Sequence, residues 1–148
     1  MPQKCWRSPL GWMRIEERGG RVWSVRFVLH CDEGGDTPLL SQAALQLEEW
    51  FAHTRQRFDL PLAQRGTPFQ RRVWEALRLL PPGQTITYGQ LAAQLGDKRK
   101  ARAVGGAVAA NPWLLLVPCH RVLPARGGVG GYSGGTERKR DLLRLGNM

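Results

Sequence analysis

The sequence predicts an α+β protein, with a small N-terminal antiparallel sheet and helix followed by a mainly α-helical C-terminal part that carries a helix-turn-helix. Three observations predict it. Strand-like segments rich in Val, Trp and Phe flank Gly19-Gly20; two Thr-x-x-Gln sequences, at Thr67 and Thr87, have the spacing of helix capping boxes; and Gly96-Asp97 joins two short helical stretches. The run Phe58 to Ala63 is short, proline-broken and extended, so it divides the chain into residues 1–62 and residues 63–148.

From Trp12 to Leu29 the sequence reads as a hairpin turning on Arg18-Gly19-Gly20-Arg21, where a Gly-Gly pair accepts positive φ. Thr37-Pro38 then supplies an N-cap followed by proline at the first helical position. Leu40, Ala43, Ala44, Leu47, Trp50 and Phe51 recur at helical spacing and form a core stripe. In the second part Thr67-Pro68-Phe69-Gln70 opens a helix that buries Phe69, Val73, Leu77 and Leu80 and stops at Pro81-Pro82-Gly83. Thr87-Tyr88-Gly89-Gln90 opens the next, with Leu91 and Leu95 inward and Gly96 as its stop. A third runs from about Lys98 to Ala110 and is forced out by Asn111-Pro112. Trp113 to Val117 is an apolar run of strand length. After Val122 comes the glycine-rich stretch Arg126 to Gly135, and a last helix spans Glu137 to about Leu145.

A chain of 148 residues with 22 Lys and Arg against 12 Asp and Glu has a formal charge of +10, which favours a polyanionic partner: nucleic acid first, an acidic membrane surface second. Arginine supplies 18 of those cations, which suits forked contacts to phosphate but is also what a GC-rich genome would encode. No run approaches the roughly 20 apolar residues of a membrane span, and no apolar stretch follows a basic start, so a soluble, intracellular, cytoplasmic protein is expected. Cys5, Cys31 and Cys119 are odd in number and have no repeated spacing, which argues against a disulfide framework and for a reducing compartment. Cys5, His30, Cys31 and His53 lack a paired metal motif, so no metal site is expected. The glycine-rich stretch lacks the Lys-Ser/Thr ending of a phosphate loop, which excludes a nucleoside-triphosphate site of that kind.

The residue with the most distinctive surroundings is Cys119, in Val117-Pro118-Cys119-His120-Arg121-Val122. A thiol attacks only as thiolate, so it needs a base or a positive charge close by. His120 and Arg121 are sequence neighbours, although adjacent side chains usually diverge. A buried structural cysteine is the competing reading of the same residue.

Residues Gly66 to Leu143 resemble the O6-alkylguanine-DNA alkyltransferases, the methylated-DNA–protein cysteine methyltransferases. Val117 to Leu123 matches their signature of an apolar residue, Pro-Cys-His-Arg and two apolar residues; Arg102 to Ala107, Asn111-Pro112 and Tyr132 to Gly135 match in order and register. The first part resembles the family only in its hairpin-then-helix plan and in Ser8-Pro9-Leu10-Gly11.

The resemblance implies suicidal, single-turnover transfer of an alkyl group from O6-alkylguanine in double-stranded DNA, with O4-alkylthymine a further candidate, onto Cys119 and without a cofactor. It implies a monomer, associated with the nucleoid, that enters the minor groove and flips the damaged nucleotide. Arg102 would replace the extruded base, with Ala101, Ala103 and Gly105 flattening the helix face and Thr87 at the adjoining helix start. Tyr88 would aid rotation and donate to the guanine ring nitrogen. Ser133 and Tyr132 would meet the base, and the carbonyls of Val122 and Cys119 would take its exocyclic amine. Asn111 would tie the recognition helix to the cysteine turn, although asparagine before proline is also ordinary turn chemistry.

Two departures carry expectations. The family glutamate that orients the histidine through its second nitrogen falls at Gly146, in Leu142-Leu143-Arg144-Leu145-Gly146, and Glu137 is not an evident substitute. Trp113 and Leu114 stand where some members have smaller residues or proline, so bulky adducts are expected to fit poorly. The alternative from another class is a lesion-binding sensor of the alkyltransferase-like kind, which lacks the cysteine; a cysteine hydrolase would leave the helix-turn-helix unexplained.

Overall fold

A computed structural model describes residues 1–32 and 34–146. The chain divides into two compact units, one of Met1–Gln64 with Pro112–Leu116 and one of Arg65–Asn111 with the stretch from Val117 onward. The return of five residues to the first unit lies inside what the sequence reads as one continuous second part.

The first unit is a three-stranded antiparallel sheet, β1 (Gln3–Ser8), β2 (Gly11–Arg18) and β3 (Arg21–Phe27), in the order β1-β2-β3 with helix α1 (Pro38–Phe51) against it. The hairpin is where the sequence places it, and β1 is an additional strand. β1 joins β2 through a turn in which the Ser8 hydroxyl accepts from Leu10 N and donates to the Gly11 carbonyl. Gly19 and Gly20 both have positive φ, 59° and 76°, as the Arg18–Arg21 pairing requires. Alternation puts Met13 and Ile15 of β2 in the core, and Val22 and Val25 of β3, three residues apart, both reach it because the pairing register shifts between them, opposite Glu16 and Glu17. The α1 stripe buries all six residues expected of it, and Thr37 caps the helix by accepting from Leu40 N.

Residues Trp113 to Leu116 do not form a strand. Trp113 makes an isolated bridge to Val25, its indole Nε1 donates to the Val22 carbonyl at 2.8 Å, and Leu115 turns the chain with φ 73°. Trp113 and Leu114 are therefore core residues of the first unit. Cys5, on β1, and Cys31, after β3, are joined by a disulfide with a Cα separation of 5.9 Å. The sequence argued against a framework of disulfides; the segment after β3 returns to β1, where Gly34 N donates to the Gln3 carbonyl, and this brings the one pair together, while Cys119 remains the free cysteine.

The second unit contains helices α2 (Pro68–Arg78), α3 (Tyr88–Gln94), α4 (Ala101–Ala109) and α5 (Thr136–Gly146), with two short parallel strands, β4 (Ile86–Thr87) and β5 (Val122–Leu123). Both capping boxes form, with Thr67 and Thr87 accepting from Gln70 N and Gln90 N and each glutamine side chain returning to the cap N–H. The third helical stretch begins with a 3-10 turn at Lys98–Lys100 and is α-helical only from Ala101, because the Asp97 carboxylate captures Arg99 N and holds the first turn tight. Val73, Trp74 and Leu77 of α2 are buried with Val104, Ala107 and Val108 of α4, and the Trp74 Nε1 donates to the Ala107 carbonyl at 2.8 Å. Among the described residues no helix is long and apolar enough to cross a membrane.

Candidate active site

The β4–β5 pair assembles the site. Val122 is in register with Ile86 and Leu123 with Thr87, so the residue that starts α3, Tyr88, and the turn that ends at Val122 leave the same two-stranded ladder. Pro118 precedes one 3-10 turn, Cys119–Arg121, closed by Arg121 N donating to the Pro118 carbonyl. On the other flank Asn111, 2 % exposed, donates from Nδ2 to the Val117 carbonyl at 2.9 Å, and Cys119 N donates to the same oxygen at 2.8 Å. The Asn111 side chain also hydrogen-bonds the Cys119 thiol. The end of α4 and the cysteine turn are thus tied through one side chain.

Cys119 and His120 are both buried, and burial drives each toward its neutral form. Burial pushes the Cys119 thiol up to about 11, against the Asn111 hydrogen bond and the positive charge of Lys139, which pull it down. Burial pulls His120 down to about 3, assisted by the charges of Arg121 and Lys139. Tyr88 and Tyr132 are also raised, by burial first and by the charge of Cys119 second. The Tyr132 ring stands edge-on to the His120 imidazole with centroids 6.5 Å apart, and its buried hydroxyl has no hydrogen-bond partner among the described residues. At rest the site is a thiol, a neutral imidazole and two phenols, with a hydroxyl donor available.

The residues predicted for nucleic-acid contact lie apart from this buried cluster by exposure. Arg102 and Ala103 are exposed on α4, while Ala101 and Gly105 are half-buried. A Cβ at Gly105 would lie 3.8 Å from the Tyr88 ring, an ordinary contact distance, so the tyrosine lies beside α4 at this position. Thr87 is half-buried, with its hydroxyl accepting as the N-cap of α3. Ser133 is exposed, and Val122 is buried with its carbonyl turned toward α5. The position of the expected glutamate, Gly146, is in the last turn of α5; Glu137 is exposed in its first. Among the described residues no group of three His, Cys, Asp or Glu could hold a metal ion.

One residue of the site was not anticipated. Lys139 of α5 is fully buried, and its Nζ donates to the Val122 carbonyl at 2.7 Å and the Gly131 carbonyl at 3.0 Å. Its signal in the sequence is spacing: Lys139 stands three residues before the buried Leu142, on the inward face of the helix, whereas Glu137, Arg140 and Arg144 are exposed.

Residues 68–147 match the family model described as 6-O-methylguanine DNA methyltransferase, DNA binding domain. A methylated-DNA–protein-cysteine methyltransferase of Mycobacterium tuberculosis is 42% identical over 144 residues, 93% of this chain and 87% of that one. The constitutive enzyme of that name from Bacillus subtilis is 45% identical over 149 residues, covering 93% and 90%. Among solved structures, the Mycobacterium tuberculosis O6-methylguanine methyltransferase superposes with a TM-score of 0.89 at 39% identity, covering 99% of this chain and 92% of that one. A Mycobacterium tuberculosis structure in complex with DNA gives 0.88 at 40% identity, covering 97% and 92%.

Proposed function

The chain belongs to the methylated-DNA–protein-cysteine methyltransferases, and from that membership we propose that it repairs DNA by moving a methyl or larger alkyl group from the O6 of guanine onto Cys119. The observation that carries the reading is the register of Tyr88, Asn111 and Cys119 about one two-stranded ladder.

In the proposed step the Cys119 sulfur, as thiolate, forms a bond to the alkyl carbon while the bond from that carbon to O6 breaks. The electron pair passes into the guanine ring, and the proton given up by the thiol is balanced by one taken up by guanine. A Tyr88 hydroxyl kept protonated by burial is the right donor for that ring, since negative charge grows there as the alkyl group leaves. Ser133 and Tyr132 meet the base, and the Val122 and Cys119 carbonyls accept from its exocyclic amine. A thioether is not hydrolysed, so each molecule acts once and needs no cofactor.

Helices α3 and α4 serve as a helix-turn-helix. The small residues Ala101, Ala103 and Gly105 let α4 approach the floor of the minor groove, and Arg102 fills the gap left by the flipped nucleotide. Reaction and DNA contact both belong to the second part of the chain, while the first part is structural. The protein acts as a monomer in the cytoplasm, at the nucleoid. Affinity for undamaged duplex should fall with salt at a slope of about −0.9 per phosphate neutralised.

The related Schizosaccharomyces pombe Atl1, solved with damaged DNA containing O6-carboxymethylguanine, is 33% identical over 56% of this chain with a TM-score of 0.50. A reactive thiol at position 119 is what favours transfer over binding alone. Mass spectrometry after incubation with O6-methylguanine duplex is the test: one methyl on the peptide holding Cys119 is expected, and an unmodified peptide with intact lesion-bearing DNA sinks the proposal. Cys119→Ala should keep lesion binding and lose repair.

A further inference from the structure

We propose that Lys139 is a positioning residue for this reaction: its buried ammonium holds the Cys119 thiolate as its charge partner and fixes two walls of the guanine site at once. The inference rests on the transfer reaction proposed above.

A buried ammonium is costly unless it is hydrogen-bonded and its charge is balanced. Lys139 meets the first condition with two carbonyls, Val122 at 2.7 Å and Gly131 at 3.0 Å. Neither is an anion, and none of the ion pairs among the described residues includes Lys139. One N–H and a full positive charge are left over. The ionisable groups that face this region are Cys119 and His120 on the 3-10 turn, Tyr132 on the glycine-rich loop and Tyr88 at the start of α3, with Arg121 and Arg138 adding positive charge. Tyr88 and Tyr132 are held protonated by burial, and imidazole becomes a cation or stays neutral. Cys119 is the group that can become the anion: burial pushes the Cys119 thiol up and pulls Lys139 down, and against that burial each group draws the other toward its charged form.

The same side chain has a geometric role. Val122 offers a carbonyl to the guanine amine, and Gly131 directly precedes Tyr132 and Ser133. A lysine bonded to both carbonyls keeps the strand wall and the loop wall at one spacing. Gly130 has φ 71°, and a Cβ there would lie 3.8 Å from the lysine Nζ, so the loop passes close over the ammonium.

The test compares the unaltered protein with Lys139→Met and Lys139→Arg. Thiolate absorbance is followed against pH in the free proteins, and single-turnover transfer from O6-methylguanine duplex is followed over the same range. In Lys139→Met the Cys119 titration should move up by at least about one unit, leaving about tenfold less thiolate at neutral pH. Transfer should fall by at least that factor and recover as pH rises; Lys139→Arg should keep the titration near its original position. Loss of transfer with the Cys119 titration unmoved overturns the proposal and leaves Lys139 a structural prop. Should the Met variant fail to fold, Lys139→Gln, which keeps a donor for the two carbonyls and removes the charge, takes its place, and a Cys119 titration that does not move up in it overturns the pairing. That titration does not depend on repair. Failure of the repair reaction would therefore appear as an unmethylated peptide after duplex treatment, and failure of the pairing as a Cys119 titration insensitive to the lysine charge.

Discussion

Replacing Asn111 by Ala removes two interactions of different kinds, and their consequences separate. The first is the Nδ2 bond to the Val117 carbonyl at 2.9 Å, buried on both sides. That carbonyl keeps its bond from Cys119 N at 2.8 Å, so it is not orphaned, and the cost stays near that of one hydrogen bond with some lost packing, about 2 kcal/mol. With roughly 2 cal/mol/K of unfolding entropy per residue, a chain of this length should lose about 6 °C in Tm. The second interaction is the hydrogen bond to the Cys119 sulfur, which favours the thiolate and opposes the upward push of burial. A hydrogen bond to a charged group contributes about 1.5–3 kcal/mol, so the thiol should rise by roughly one to two units, with a 10- to 100-fold loss of thiolate at neutral pH. Thermal melting reads the first effect, and single-turnover transfer against pH reads the second. A Tm drop with the neutral-pH rate within about twofold of the original would refute the activating role and leave Asn111 as a brace. Both quantities unchanged would refute the geometry.

Three further outcomes follow from the same coordinates. His120 is held near 3 in the folded protein against an ordinary 6.5, so the unfolded chain binds the extra proton between those values; stability should be full above about 6.5 and fall as pH drops toward 3, and His120→Gln should flatten that limb in denaturant titrations at successive pH values. Gly66 has φ 86°, and a Cβ there would lie 2.5 Å from the Trp74 ring, so Gly66→Ala should cost about 2–4 kcal/mol in chemical denaturation; a cost below about 0.5 kcal/mol would contradict it. The Cys5–Cys31 bridge closes a segment of 26 residues, for which the chain-entropy relation gives about 3.5 kcal/mol. Reduction should therefore lower Tm while leaving Cys119 alkylation intact, and thiol titration of the denatured, unreduced protein should count one free thiol.

What was legible in the sequence divides by the range of the interactions. Local rules located the Gly19-Gly20 hairpin, the Thr37, Thr67 and Thr87 caps and the α1 stripe, because each is decided within a turn or two of chain. The missed features depend on distant partners. β1 is recognised by its pairing with β2, and β5 is two residues long and exists through β4. Trp113 to Leu116 has the composition of a strand but meets one ladder position, Val25, before Leu115 turns it away. Cys5 and Cys31 meet because the segment after β3 crosses back to β1 at the other edge of the sheet, which spacing in sequence does not encode. The site shows the same division. Cys119 and His120 announce themselves as neighbours, whereas Lys139 is twenty residues away and looks like one more cation of a basic helix.

The buried lysine bears on how the thiol is activated when position 146 carries glycine. Burial pushes the Cys119 thiol up to about 11 and pulls His120 down to about 3, and both shifts oppose direct proton transfer between them in the resting site. The remaining stabilisation comes from Asn111 and Lys139, one hydrogen bond and one charge. If that is the whole device, adding the family's carboxylate should supply a second one. A Cβ at Gly146, in the last turn of α5, meets no atom within 4 Å among the described residues, so a side chain can begin there. An anion that reaches the second imidazole nitrogen favours the imidazolium, so the His120 titration should move up from about 3 and transfer at neutral pH should rise. NMR of the histidine ring and single-turnover rates read the two effects. A His120 titration that moves up with no gain in rate would mean that Asn111 and Lys139 already supply the activation this site can use. A gain in rate that survives Lys139→Met would show that histidine and carboxylate suffice without the lysine, and would break the argument that this chain replaced one device with the other.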